Sequence, residues 1–375
     1  MDHVVVAPDK FKGTLTAAQV AAHVAVGLER VRPGLQIIEL PVADGGDGTV
    51  DAAVAAGYRR VEVGVSGPTG RPVTAAFALD RGTAIIESAQ ACGLGRLPGG
   101  VPAPLTASSR GVGELILAAT QMGANRIVLG LGGVASTDGG AGLATALGAR
   151  LLDESGAELP PGGAALARLR RIDLSGLRDL AGTAFVVATD VDSPLLGERG
   201  AAAVYAPQKG ASPQDVTYLE DGLGRWADVA EQALGQVRRH DRGAGAAGGL
   251  GFAALAFLDA TVRPGIDVLL DLLSFTDELP GARLVVTGEG ALDTQTLHGK
   301  APAGVARMTA AAAPGLPVIA VAGVCSLTTA QLRSVGIAHA YALADIEPDP
   351  RRCRTQAGPL LEDLAGRIAR DWIAV

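Results

Sequence analysis

"VVVAPDKFKGTLTAAQVAAHVAVGLERVRPGLQIIEL", residues 4–40, carries the reading of the fold. It opens on a short β-branched run and passes into the charged loop "PDKFKGT". From about Thr16 the apolar period changes, and Val20, Val24, Leu28 and Val31 recur at helical spacing. "QIIEL" then returns to a strand pattern and ends in "PVADGGDGT". Strand, loop, helix and strand in this order predict a wound α/β unit with a parallel sheet. In open sheets of that kind ligands meet the loops at the carboxyl ends of the strands.

The same signature recurs downstream. "RIVLGLGG" exits into "VASTDGGAG", "FVVA" into "TDVDSP", and "RLVV" into "TGEGALD". "PVIAVAG" and "HAYAL" read as further strands, and a closing helix puts Leu360, Leu361, Leu364, Ile368 and Trp372 on one face. The stretch "VEVGVSGPTGRPVTAAFALDRGTAIIESA" differs, with short strands joined by Gly and Pro turns in the manner of a meander. A domain change is therefore expected near residue 65, with wound strands resuming near residue 284. Residues 1–65 and 284–375 would form one α/β domain, into which a mixed α/β domain of residues 66–283 is inserted. "ELPPGGAALARLRRIDLSGL" reads as a loop plus a short helix.

Composition agrees with two globular domains: 375 residues, 48% hydrophobic and 19% charged. A net charge of -7, with neither a basic stripe nor aromatic platforms, argues against a nucleic-acid partner. No apolar run is long enough for a membrane span, and the start lacks a signal-peptide pattern. Cys92, Cys325 and Cys353 are odd in number and widely spaced, so a reducing cytoplasm is the expected location.

Four lysines, Lys10, Lys12, Lys209 and Lys300, stand among 32 basic residues, all of them in Gly- or Pro-containing stretches. A compact ammonium follows a phosphate as a point charge better than a planar guanidinium does. Carboxylates gather at the same strand exits: Asp44 and Asp47, Asp138, Asp190 and Asp192, Glu289 and Asp293. One such loop reads as an Asx turn. Four of them, three flanked by Gly, offer the hard oxygen ligands that Mg²⁺ on a phosphate substrate requires. No Walker-type loop is present, and "GAGAAG" (243–248) follows "VRRHDR" instead of a buried strand, which speaks against a dinucleotide fingerprint. The helix it opens would offer either an anion cradle or a Gly-rich packing contact. Ser and Cys residues lack a neighbouring base, so covalent catalysis through them has no support.

"VVVAPDKFKGTLTA", "PVADGGDGT", "GLGGVASTDGGAGLATALGA", "ATDVDSPLLG", "APQKGA", "GAGAAGGLGF" and "TGEGALDTQTLHGKAP" together resemble, in order and over essentially the whole chain, the motifs of the bacterial type 1 glycerate kinases. The resemblance implies a flavodoxin-like domain built from both chain ends, with a second α/β domain inserted and the active site in the cleft between them. It also implies phosphorylation of D-glycerate by ATP with Mg²⁺, 2-phosphoglycerate being the expected product. Lys10 stands where the family commonly has Ser, so the phosphate role passes to Lys12. Asp47 replaces a frequent Glu, and Thr294 a frequent Ser.

On that footing Asp190, supported by Asp192, is expected to act as general base or in the Mg²⁺ shell, with Lys12 and Lys300 stabilising phosphoryl charge. Asp44, Asp47, Asp138, Asp293, Arg71 and His298 are the expected substrate contacts. Lys209, Gly245, Gly248, Gly288 and Gly290 are the expected nucleotide or phosphate contacts, and Asp190, Glu289 and Asp293 the metal ligands. The protein would act as a monomer or homodimer. Two other readings compete: a haloacid-dehalogenase-type phosphatase with Asp190 as nucleophile, and a non-catalytic organic-acid binding protein.

Overall fold

The computed structural model describes residues 2–43, 45–46 and 48–373, the side chain of His298 apart. Within them the strands are β1 (His3–Pro8), β2 (Gln36–Glu39), β3 (Arg59–Ser66), β4 (Pro72–Asp80), β5 (Thr83–Glu87), β6 (Arg126–Gly130) and β7 (Arg150–Leu152). There follow β8 (Arg171–Asp173), β9 (Ala184–Ala188), β10 (Thr261–Arg263), β11 (Ala282–Leu292), β12 (Val318–Cys325) and β13 (His339–Ala342). The chain divides into two compact units: Met1–Asp44, Asp51–Gly57 and Pro264–Val375 form the first, Gly45–Val50 and Tyr58–Arg263 the second.

The first unit holds a five-stranded sheet in the order β13-β12-β11-β1-β2, parallel throughout. Counted within the unit this is the flavodoxin order 2-1-3-4-5, whose topological switch lies between β1 and β11. Strand period two sorts the core. Val4, Val6, Leu284, Val286, Ile319 and Val321 face one layer, with Val20, Val24 and Leu28 of helix Ala17–Val31 and Leu361 and Leu364 of helix Ala357–Ile368. Val5, Ala7, Val285, Ala320 and Ala322 face the other, with Ile266 and Leu269 of helix Gly265–Leu272 and Val305 of helix Ala301–Ala312. Helix Ala17–Val31 begins where the sequence places it, because Thr16 and Gln19 form a capping box.

The second unit has a six-stranded sheet in the order β10-β9-β6-β5-β4-β3. Strands β10, β9, β6 and β5 run parallel, and β4 and β3 continue as antiparallel hairpins, which is the meander. The stretch 158–177 holds a 3-10 turn, Gly163–Arg168, and also β8, which pairs antiparallel with β7.

Two expectations need adjustment. The chain returns to the first unit at Pro264, twenty residues before residue 284, because the apolar face of Gly265–Leu272 joins the first core. It enters the second unit for good at Tyr58, since all of β3 pairs with β4. Among the described residues no helix is long and apolar enough to cross a membrane.

Candidate active site

In the first unit the charged groups collect at the carboxyl end of β11. The strand continues past Val286 to Leu292, so Glu289 stands within it and not in a loop beyond it. Gly288 and Gly290 make this extension possible. A Cβ at Gly288 would lie 2.4 Å from the Val321 carbonyl oxygen of β12, and one at Gly290 would lie 3.2 Å from the Lys12 amide nitrogen.

Glu289 is 7% exposed. The Thr296 hydroxyl donates to its Oε1 at 2.6 Å, and Lys300 Nζ stands 3.5 Å from its Oε2. Burial pushes the Glu289 pKa above the ordinary carboxylate value. The Thr296 hydrogen bond and the Lys300 charge oppose that shift, and the Asp293 charge adds to it. Asp293 closes the turn after the strand: its Oδ1 accepts from the Gln295 amide at 2.8 Å, and its own amide donates to Thr296 Oγ1 at 3.0 Å. Lys300 occupies the cap position of helix Ala301–Ala312.

On the neighbouring strand, the Asp9 amide donates to the Gly288 carbonyl at 2.8 Å. The chain then turns back between Phe11 and Leu15, leaving Lys12 exposed near the tip of the turn. Both loops thus flank the β1/β11 switch point.

In the second unit Asp138 is 1% exposed, and its carboxylate is enclosed by donors. Ser109 donates from its amide at 2.8 Å and its hydroxyl at 2.9 Å, and the Gly140 and Gly142 amides donate at 3.2 Å. Lys209 is also interior, at 3% exposed, with Nζ donating to the Ser136 carbonyl at 2.5 Å. Desolvation lowers its pKa to about 8, against the charges of Cys92 and Asp138. The Cys92 thiol, fully buried, is pushed up to about 12, chiefly by desolvation.

The glycine stretch at 243–249 packs over this centre. Ala247, Gly248 and Gly249 take left-handed backbone, and a Cβ at Gly248 would lie 2.2 Å from the Ser136 oxygen and 2.7 Å from Lys209 Nζ. A Cβ at Gly245 would lie 2.2 Å from the Pro194 oxygen. Of the two roles open to this stretch, close packing is therefore the one these contacts display.

Asp190 and Asp192, both exposed, follow β9, and Asp192 pairs with Arg199 at 3.3 Å. Arg71 is exposed in the turn between β3 and β4. Asp44, Asp47 and the side chain of His298 lie outside the described residues. The structure thus brings Glu289, Asp293 and Lys300 together, sets Lys12 on the adjacent loop, and places Asp138 and Lys209 inside the second unit.

Two residues the motifs did not single out matter to these loops. Thr296 holds Glu289, as described above. Glu87, at the end of β5, is 4% exposed and accepts from the Gly48 and Val50 amides at 3.0 and 2.6 Å, anchoring one end of the "ADGGDG" loop. A lone acid closing the apolar run "TAIIE" is the signal that would have found it.

Among the described residues no group of three or more His, Cys, Asp or Glu converges as a metal cage. Magnesium does not require one, since it is commonly held by one or two carboxylates together with substrate phosphates and water. The pair Glu289 and Asp293, or the exposed Asp190, suits that mode.

A flavodoxin-order sheet with titratable loops at its switch point defines an α/β protein built to receive a small ligand at the carboxyl edge. Residues 4–373 match the model of the glycerate kinase family, and the chain belongs to that family, a family of kinases. It is 48% identical to the glycerate kinase of Bacillus subtilis strain 168 over 324 residues, 85% of this chain and 84% of that one. Against the glycerate 2-kinase of Escherichia coli K12 it is 43% identical over 345 residues, 91% and 88% of the two chains. Its fold is similar to a crystal structure from Salmonella typhimurium LT2 assigned as glycerate kinase 2, with TM-score 0.87 and 39% identity over 99% and 98% of the chains.

Proposed function

We propose that this protein phosphorylates D-glycerate with ATP and Mg²⁺, and that the product is 2-phosphoglycerate. The observation that carries the reading is the Glu289–Thr296–Lys300 arrangement at the flavodoxin switch point of a chain in the glycerate kinase family. Phosphoryl transfer asks a protein mainly for positioning and for charge stabilisation, with little covalent chemistry. Lys300 suits that task because its backbone caps helix Ala301–Ala312 and its ammonium stands beside Glu289, while its side chain stays about one-third exposed. Lys12, exposed on the adjacent loop, supplies a second cation to the transferring group.

Asp190 serves as base toward the glycerate hydroxyl, with Asp192 beside it in sequence. Glu289, Asp293 or Asp190 would hold Mg²⁺ together with the nucleotide phosphates, and the ion would supply neutralisation of phosphate charge. Asp44, Asp47, Asp293, Arg71 and His298 contact glycerate. Asp138 and Lys209 act from the interior by holding the loop after β6. The phosphatase and binding-protein readings have no comparable support from the family.

The test is a coupled assay of ADP release with and without D-glycerate. Wild type should release ADP only with glycerate present and should stop on chelation of Mg²⁺. Lys300→Met should lower kcat/KM by about a hundredfold or more. Glycerate-independent ADP release, or an undiminished Lys300→Met variant, would remove the basis of the assignment.

A further inference from the structure

Beside the charged cluster, the first unit has an apolar pocket of about 230 Å³ of which these assignments use only Lys12 and Gly290. It is lined by Phe11, Val324, Leu343 and Cys353, with Lys12 and Arg354 also contributing. All lie at the carboxyl edge: after β1, at the end of β12 and after β13. Gly290 of β11 also lines it, and it adjoins Glu289 in the strand. We propose that this pocket seats the purine base of the nucleoside triphosphate, with Lys12 and Arg354 on the ribose and phosphate side.

Glycerate is small and polar on every face and would gain little from Phe11, Val324 and Leu343. A flat heteroaromatic ring gains from apolar walls, and most ligand pockets combine such walls with few polar groups. The two cations suit an occupant that carries phosphate. The remaining acid in the lining is already engaged, since Glu347 Oε1 accepts from the Asp349 amide at 3.0 Å and its Oε2 meets Arg352 at 2.9 Å. Its charge is therefore compensated before an anionic ligand arrives. The turn carrying Lys12 rests against Gly290, which ties the pocket to the strand bearing Glu289. This assignment rests on the kinase reading for the identity of the nucleotide, and on the pocket alone for its location.

Cys353 provides a reporter inside the pocket, and Cys325, half-buried outside the lining, an internal reference. ADP should slow alkylation of Cys353 at alkaline pH without slowing that of Cys325, as read by peptide mass mapping. Val324→Trp and Ala344→Trp place bulk at two exposed lining positions. Each should weaken ADP binding in calorimetry by about tenfold or more and raise the KM for ATP by a similar factor. Val237→Trp, an equally exposed site in the second unit, should leave ADP binding unchanged.

If wild type phosphorylates glycerate but ADP neither protects Cys353 nor loses affinity in the two pocket variants, the pocket assignment falls and the kinase stands. If ADP protects Cys353 while no phosphoglycerate forms, the pocket stands and the kinase reading falls. A protein that does not bind ADP overturns both.

Discussion

Lys209 shows how far a residue's surroundings can depart from its motif. In sequence it is a lysine beside Gly, the pattern of a phosphate ligand, yet the fold buries it against the Ser136 carbonyl. Its folded pKa of about 8 lies below the ordinary lysine value of 10.5, so over that interval the unfolded chain holds more protons than the folded one. Stability must therefore rise with pH through this window. Denaturant melts from neutral pH to about pH 10.5 should show wild type gaining up to about 3 kcal/mol relative to Lys209→Met. Parallel pH profiles for the two proteins would show that Lys209 is not buried as described.

Glu289 has the opposite sign. Its pKa is raised, so the folded state holds the proton more tightly than the unfolded chain, and stability falls as pH rises through the folded value. Glu289→Gln should accordingly melt higher than wild type at neutral pH while losing activity. The acidic limb of the wild-type kcat/KM profile should lie above the usual carboxylate range and vanish in the variant. Glu289 and Lys300 could be read from the motif, whereas the desolvation that raises the Glu289 pKa depends on contacts formed only after folding.

At the scale of the element, β11 is the informative case. "RLVV" reads as a strand, and the Gly residues after it read as a loop, because Gly weakens strands in general. The structure keeps the strand going to Leu292, since a neighbouring backbone comes too close for any side chain. Gly288→Ala should cost about 2–4 kcal/mol in urea unfolding, since the added methyl meets the Val321 carbonyl inside the sheet. The adjacent Thr287→Ser, which keeps the hydroxyl bonded to the Ala7 oxygen, should cost far less. The capped helix Ala17–Val31 and the strands β1, β6, β9 and β12 were legible because period and cap coincide there. The left-handed run Ala247–Gly249 was not, because Gly-rich sequence fits both an anion cradle and a close packing contact.

For the whole molecule, the sequence pattern separated an outer wound segment from an inner one that begins as a meander. It misplaced the return crossing by twenty residues, Pro264 against 284, and the outward one by most of a strand. "GIDVLLDL" is amphipathic in either setting, and sequence periodicity does not say which core its apolar face will join. The flavodoxin order followed from the family resemblance, since strand order is a matter of pairing across hundreds of residues, as with His3 beside Gln36 and Ala282. That same order makes β1 and β11, which are far apart in the chain, the two walls of the switch point.

The most direct test of the account is phosphorus NMR of the purified protein with D-glycerate, ATP and Mg²⁺, beside a mixture lacking glycerate and a third containing Asp190→Asn. The account predicts a phosphoglycerate resonance at the position of the 2-phosphate ester, growing in step with ADP, absent without glycerate and strongly reduced in the variant. Free phosphate as the sole product, or no phosphoglycerate at all, would contradict it.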